Sequence, residues 1–136
     1  PGLLSDTERI VMQQHPAIGY EMLRHNPLLT AAAEIVLTHH ERYNGSGYPM
    51  GLKGDDIPLG ARICAITDTF DALTSVRPYR TPMSIEDACH YINSERGRHF
   101  DPYITDTFTA LSPSHWQEIR RMAGASAAVT NLFQAA

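Results

Sequence analysis

Residues 41–60 constrain this chain more than any other stretch. Gly45, Gly47, Gly51, Gly54 and Gly60, together with Pro49 and Pro58, break a pattern that is otherwise helical almost throughout. Glycine and proline at that density cannot continue a helix, because one exposes and loosens the backbone and the other removes a donor and clashes with the preceding turn. The result is a loop of about 20 residues, and loops of that length inside compact domains are more often functional than idle. The fold class that follows is all-α, a helical bundle with one long structured Gly/Pro-rich loop.

Around the loop, local chemistry marks the helices. Ser5 with Glu8 three residues on reads as a capping box that opens a helix through about His15. His15-Pro16 predicts a break and a short helix to about Arg24, with Ile18, Met22 and Leu23 on its apolar side. Asn26-Pro27 restarts the chain, and Leu28, Leu29, Ala32, Ile35, Val36 and His39 then keep a 3.6-residue period. A helix over about Leu59 to Ser75 carries Ile63, Ile66, Phe70 and Leu73. Another opens at Ser84 and stops near Gly97. Pro102 to Leu111 and Pro113 to Met122 complete the set, the last with Ser112 as N-cap. The chain reads as a single domain over 1–136, with its core in 1–122 and an Ala-rich tail over 123–136.

At 136 residues the chain can build one core but not two. Its net charge of -4 lacks the basic footprint of a protein that binds DNA or RNA polymers, although a few focused cations can still hold an anionic ligand. Cys64 and Cys89 fall within apolar helical patterns and read as small buried hydrophobes in a reducing, cytoplasmic setting. No run approaches the roughly 18 apolar residues of a membrane span, and no signal-peptide pattern is present. The chain opens Pro1-Gly2-Leu3-Leu4 without an initiator Met, which suggests a fragment or a processed form.

Several residues carry possible chemistry. His39 and His40 point about 100° apart on a helix end, an arrangement that suits two neighbouring metal ions, although a surface pair is the plain rival. Asp68 lies toward the apolar face of its helix, where a carboxylate needs a cation, an Arg or a backbone donor. His15 closes the first helix. Arg77 and Arg80 follow the Asp68 helix closely and have the fork geometry that recognises phosphate, or else form a solvated loop. The Gly45-Ser46-Gly47-Tyr48-Pro49 run lacks the spacing of a P-loop and has no strand before it, which excludes a nucleoside-triphosphatase reading. Its glycine and proline hold Tyr48 rigidly, Gly through an unusual φ, so that the ring can stack on a base or pack into its own domain. His25, His90, His99 and His115 read as structural or surface residues, and Trp116 as a packing anchor.

Order and spacing together are more specific than any of these alone. The run His39-His40-Glu41-Arg42-Tyr43-Asn44-Gly45-Ser46-Gly47-Tyr48-Pro49 resembles the hallmark of the HD-GYP family. So do Gly51-Leu52, Ile57-Pro58-Leu59, Ala61-Arg62-Ile63, the stretch from Asp68 to Arg80, Gly97-x-x-Phe100-Asp101-Pro102, and the segment from Leu4 to His15. The resemblance spans roughly residues 1 to 110. It implies an HD-domain-like helical bundle that hydrolyses cyclic di-GMP, a bacterial second messenger, at a centre of two or three iron or manganese ions. It further implies that His15, His39, His40 and Asp68 are metal ligands, and that Tyr48, Arg77 and Arg80 hold the dinucleotide. Imidazole and carboxylate suit such metals, and paired divalent ions can activate water and stabilise a leaving oxygen.

The resemblance also places a His-Asp pair and a Lys before Pro1, so the expectation is a truncated domain whose own catalytic residues are unknown. Two ions in six-coordinate sites need about twelve donor positions, against four candidate ligands here. The fragment is therefore expected to be inactive or nearly so and to bind metal partially or not at all, while the parent protein is the enzyme. Apolar surface left open favours a homodimer. Two other readings stand beside this one: a non-catalytic signalling module that docks diguanylate cyclase domains through the loop, and a phosphohydrolase of the wider HD superfamily for another nucleotide.

Overall fold

The computed structural model describes residues 5–76 and 81–122, and among them the regular structure is helical, with one isolated bridge between Arg96 and Phe100. The helices are α1 (Asp6–Met12), α2 (His15–Leu23), α3 (Thr30–Thr38), α4 (Leu59–Thr74), α5 (Ile85–Ser94), α6 (Pro102–Thr109) and α7 (113–122). Short 3-10 turns occupy Pro27–Leu29 and Gly54–Asp56. Arg77, Arg80 and the tail 123–136 lie outside the described residues.

Local chemistry sets the helix ends. The Ser5 hydroxyl accepts the Glu8 N–H, while the Glu8 carboxylate accepts the Ser5 N–H at 2.8 Å, so two orphan donors of α1 are satisfied reciprocally. Ser84 caps α5 through the Asp87 N–H, and Asp101 caps α6 by accepting from Tyr103 and Ile104. Three expected boundaries move. The first helix ends at Met12, and His15 opens α2 instead of closing α1. α3 starts at Thr30, after the tighter 3-10 turn at Pro27. Gly97 is not the stop of α5, which ends at Ser94; with φ 75° it makes a tight turn in which its N–H donates to the Phe100 carbonyl.

The core is built by α4, α5 and α6. Ile66, Phe70, Leu73, Ala88, Ile92, Phe100 and Phe108 form one buried cluster, with Trp116 of α7 packed against it. Trp116 stacks on Phe108 at 4.3 Å between ring centroids and tilts against Phe70 at 5.2 Å, so it is the packing anchor the sequence suggested. Arg120 of α7 donates to the Thr74 carbonyl, an orphan acceptor at the end of α4. Cys64 and Cys89 are free and half-buried, less enclosed than expected.

The α1–α2 arm is different. No residue of α1 is buried, and in α2 only Pro16 is. Ile18 and Met22, expected on an apolar inner side, are exposed, as are Ile10, Val11 and Leu28. What holds the arm is the packing of α2 on α3. Gly19 permits this close approach, because a Cβ there would sit 2.6 Å from a methyl of Val36.

Candidate metal centre

The three histidines singled out from the sequence come together at the seam between the arm and the body. α2 begins with His15, His39 is the C-cap of α3, and His40 follows it. One nitrogen from each ring lies within 4.8 Å of the others. His15 Nε2 is 3.4 Å from His39 Nε2 and 3.1 Å from His40 Nε2.

Hydrogen bonds on the far side of two rings fix their tautomers. His15 Nδ1 lies 2.6 Å from the Met12 carbonyl and His39 Nδ1 lies 2.7 Å from the Val36 carbonyl. A carbonyl only accepts, so both Nδ1 atoms carry a proton, and in the neutral form of the rings both Nε2 atoms present lone pairs to one another. No hydrogen bond can form across that 3.4 Å gap, whereas a cation beside it would satisfy both lone pairs. A backbone carbonyl on the outer nitrogen is also how metal-binding imidazoles are usually oriented. His40 is driven the same way: burial first, then His39 and His15, lower its pKa to about 4, against the opposing pull of Asp68. It is therefore neutral at pH 7. The donor set fits a divalent transition metal.

Asp68 stands apart from the cluster of three. It is exposed on α4, although it shares a helical stripe with the buried Ala61 and Ala65, so the apolar enclosure expected for its carboxylate is absent. Its charge nonetheless reaches His40 and works to raise that ring's pKa. Arg77 and Arg80 fall on residues that are not described.

Tyr48 packs against the site itself. Its ring stacks on His40 with centroids 4.9 Å apart and planes 27° from parallel, and burial raises its pKa. Its N–H donates to the His40 carbonyl. Gly47, expected to supply an unusual φ, is not among the positive-φ glycines. Its role is spatial, since a Cβ there would lie 2.3 Å from the Arg42 nitrogen and 2.4 Å from Glu41 Cα. The Tyr48-Pro49 peptide is cis.

Two residues of the site escaped the sequence reading. Glu41, only 2% exposed, accepts the backbone N–H groups of Met50, Gly51 and Leu52 at 2.7, 3.1 and 3.1 Å. His99 is half-buried and stacked on Phe100. Burial and then Arg42 lower its pKa to about 4, against the pull of Glu95, and its charge reaches His40. Only the fold of the loop shows which amides the Glu41 carboxylate meets.

The Gly97-x-x-Phe100-Asp101-Pro102 segment grips the same loop. Tyr43 and Asn44 donate their N–H groups to the carbonyls of His99 and Arg98. Asp101, 5% exposed, also receives Arg62 of α4 at 2.7 Å, and Arg62 reaches Asp55 of the loop with the same nitrogen. Burial works against the Arg62 cation, but Asp101 and then Asp55 outweigh it and raise its pKa.

Comparison with known proteins agrees with this architecture. The sequence model of the HD domain family matches residues 1–104. A cyclic di-GMP phosphodiesterase response regulator, RpfG, from Xanthomonas campestris is 51% identical over 108 residues, covering 78% of this chain and 29% of that protein. A cyclic di-GMP phosphodiesterase from Thermotoga maritima is 42% identical over 123 residues, covering 89% and 33%. A solved cyclic GMP-AMP-specific phosphodiesterase of Vibrio cholerae superposes with a TM-score of 0.60 at 27% identity, covering 77% of this chain and 28% of that one. The chain belongs to the HD domain family. Within it, the loop that follows the histidine pair marks an HD-GYP-type domain, resembling metal-dependent phosphodiesterases. It spans about a third or less of the length of these relatives.

Proposed function

We propose that this chain is the part of a cyclic di-GMP phosphodiesterase that supplies His15, His39, His40 and Asp68 to a centre of two or three iron or manganese ions. The observation that carries the reading is the meeting of three imidazole Nε2 atoms, two of which are bare because their Nδ1 protons are held by carbonyls. Such ions, when bound, supply Lewis acidity at the phosphoryl group and lower the pKa of water. The chain's own part is to hold three imidazoles together, two of them with Nδ1 bonded to a carbonyl, to keep the Asp68 charge within reach of His40, and to present Tyr48 on the stacked face of His40. Tyr48 offers a half-buried aromatic ring beside the histidines, suited to stacking on a purine. Arg77 and Arg80 enter the proposal on sequence grounds alone, as forks for the phosphates.

Donor number supports an incomplete site. Four side chains fill about a third of the roughly twelve positions that two six-coordinate ions require. We therefore expect the 136-residue chain by itself to hydrolyse cyclic di-GMP at a small fraction of an intact domain's rate in anaerobic Fe(II) or Mn(II). Turnover comparable to an intact domain contradicts the incomplete site. A panel of cyclic di-GMP, cyclic GMP-AMP and linear nucleotides on an active form tests the substrate: preference for a linear nucleotide removes the cyclic dinucleotide reading.

The same proposal extends to a cytoplasmic location, consistent with an internal messenger and with the absence of any membrane-length apolar helix among the described residues. It extends to docking of a diguanylate cyclase domain on the loop, whose Met50 is 60% exposed although the backbone beneath it is held firmly. It includes dimerisation through the apolar arm surface of Ile10, Val11, Ile18 and Met22. A clean monomer in light scattering at high concentration argues against the last.

A further inference from the structure

We infer that Glu41 is a positioning residue that sets the Tyr48 ring over the His40 ring, fixing loop and imidazole as one unit. Glu41 directly follows His40, and its carboxylate is buried without a cation beside it. Among the described residues no Arg or Lys pairs with it; its partners are three main-chain N–H groups from the far arm of the loop. Oε1 accepts from Met50 and Gly51, and Oε2 accepts from Leu52. A buried carboxylate is stable when several such donors replace its water, and a loop of this composition otherwise has many conformations to lose.

The bonds close a ring. It runs from His40 through Glu41 to residues 50–52 and back through Pro49 and Tyr48, whose N–H returns to the His40 carbonyl. Gly47 lies against the Glu41 backbone, so the ring has no slack on its inner side. Tyr48 is therefore held from both ends. The carboxylate is spent on amides 50–52, which makes it a loop anchor and not a fourth ligand beside the histidines. Glutamine in its place can still accept from Met50 and Gly51, but its amide group confronts the Leu52 N–H donor to donor.

The functional consequence rests on the reading of Tyr48 and the histidine cluster given above, but the anchor itself does not, and the experiment separates them. Backbone hydrogen exchange and ring-to-ring nuclear Overhauser contacts are measured by NMR on the whole chain and on Glu41→Ala and Glu41→Gln, with and without Zn(II) as a probe. We expect exchange at Met50, Gly51 and Leu52 to rise about tenfold or more in Glu41→Ala, with loss of the Tyr48–His40 contact. Glu41→Gln should free Leu52 most, and Ile92 and Thr105 in the body should stay protected in both variants. If Glu41→Ala does not fold, the graded pattern in Glu41→Gln is the test. Unchanged exchange at 50–52, or a Tyr48–His40 contact that survives in the variants, overturns the anchor. Zn(II) shifts at His15 and His39 that persist in Glu41→Gln support an anchor separate from the ligands, and their loss together with unchanged exchange at 50–52 assigns Glu41 to the metal instead. Absence of Zn(II) shifts in the unsubstituted chain fits the incomplete site and leaves the exchange result to judge the anchor.

Discussion

The body formed by α4, α5 and α6 and the arm formed by α1 and α2 solve the problem of stability in opposite ways. The body buries Ile66, Phe70, Ile92, Phe100 and Phe108 in one cluster and ties the loop to it through Arg62 and Asp101. The arm turns Ile10, Val11, Ile18 and Met22 outward and buries only Pro16. Yet one histidine of the cluster comes from the arm, and the other two sit at the end of α3, where loop and body begin. The three-histidine cluster thus depends on the packing of α2 on α3, an arm otherwise open to solvent set against a well-fixed frame.

The largest effect is expected in the body. Asp101→Ala removes one of the two carboxylates on the half-buried Arg62 and the cap of α6 together, and should cost about 2–4 kcal/mol in urea unfolding. A loss below about 1 kcal/mol would mean that the loop clamp contributes little. The next largest effect lies in the contact of α2 with α3. Gly19→Val pushes α2 off Val36 at a cost of about 1–3 kcal/mol. It should abolish Zn(II) shifts at His15 while His39 and His40 keep their fold, as seen by NMR.

A pH prediction sharpens the contrast, because the depressed imidazoles belong to the site and its frame. His40 and His99 both fall from 6.5 to about 4 on folding. Between those values the unfolded chain takes up protons that the native chain refuses, so metal-free stability is full above pH 6.5 and falls as pH drops toward 4. Urea midpoints across this window should decline, and His99→Phe, which keeps a ring on Phe100, should flatten the decline. A midpoint that holds steady or rises from pH 6.5 to 4.5 contradicts the burial of these rings. The smallest effect is expected on the arm's open face, where Met22→Ser should change stability by no more than about 0.5 kcal/mol. A larger loss would show that the face is covered in solution.

The helices were legible because their caps and apolar periods are local: Ser5 with Glu8, Ser84, and the period through Phe70 and Leu73 all act within a few residues. The histidines were legible as a set by resemblance, and their convergence required α2 to lie on α3. What sequence could not supply was long-range. Asp68 is exposed although Ala61 and Ala65 on the same stripe of α4 are buried, and a helical period alone does not show where along a stripe the cover ends. The place of Glu41 depends on amides 9 to 11 residues away that fold back only once the loop is closed. The reason for Gly47 is a neighbour's backbone and not its own φ.

The central claim is that His15 and His39 are held with Nδ1 protonated so that their Nε2 lone pairs meet. Long-range proton–nitrogen NMR spectra of the imidazoles, without metal and then with Zn(II), test it most directly. The account predicts Nδ1–H tautomers for both residues before metal, followed by shifts of the His15, His39 and His40 Nε2 signals together. Nε2–H tautomers at His15 and His39, or shifts confined to the exposed His25, His90 and His115, would contradict it.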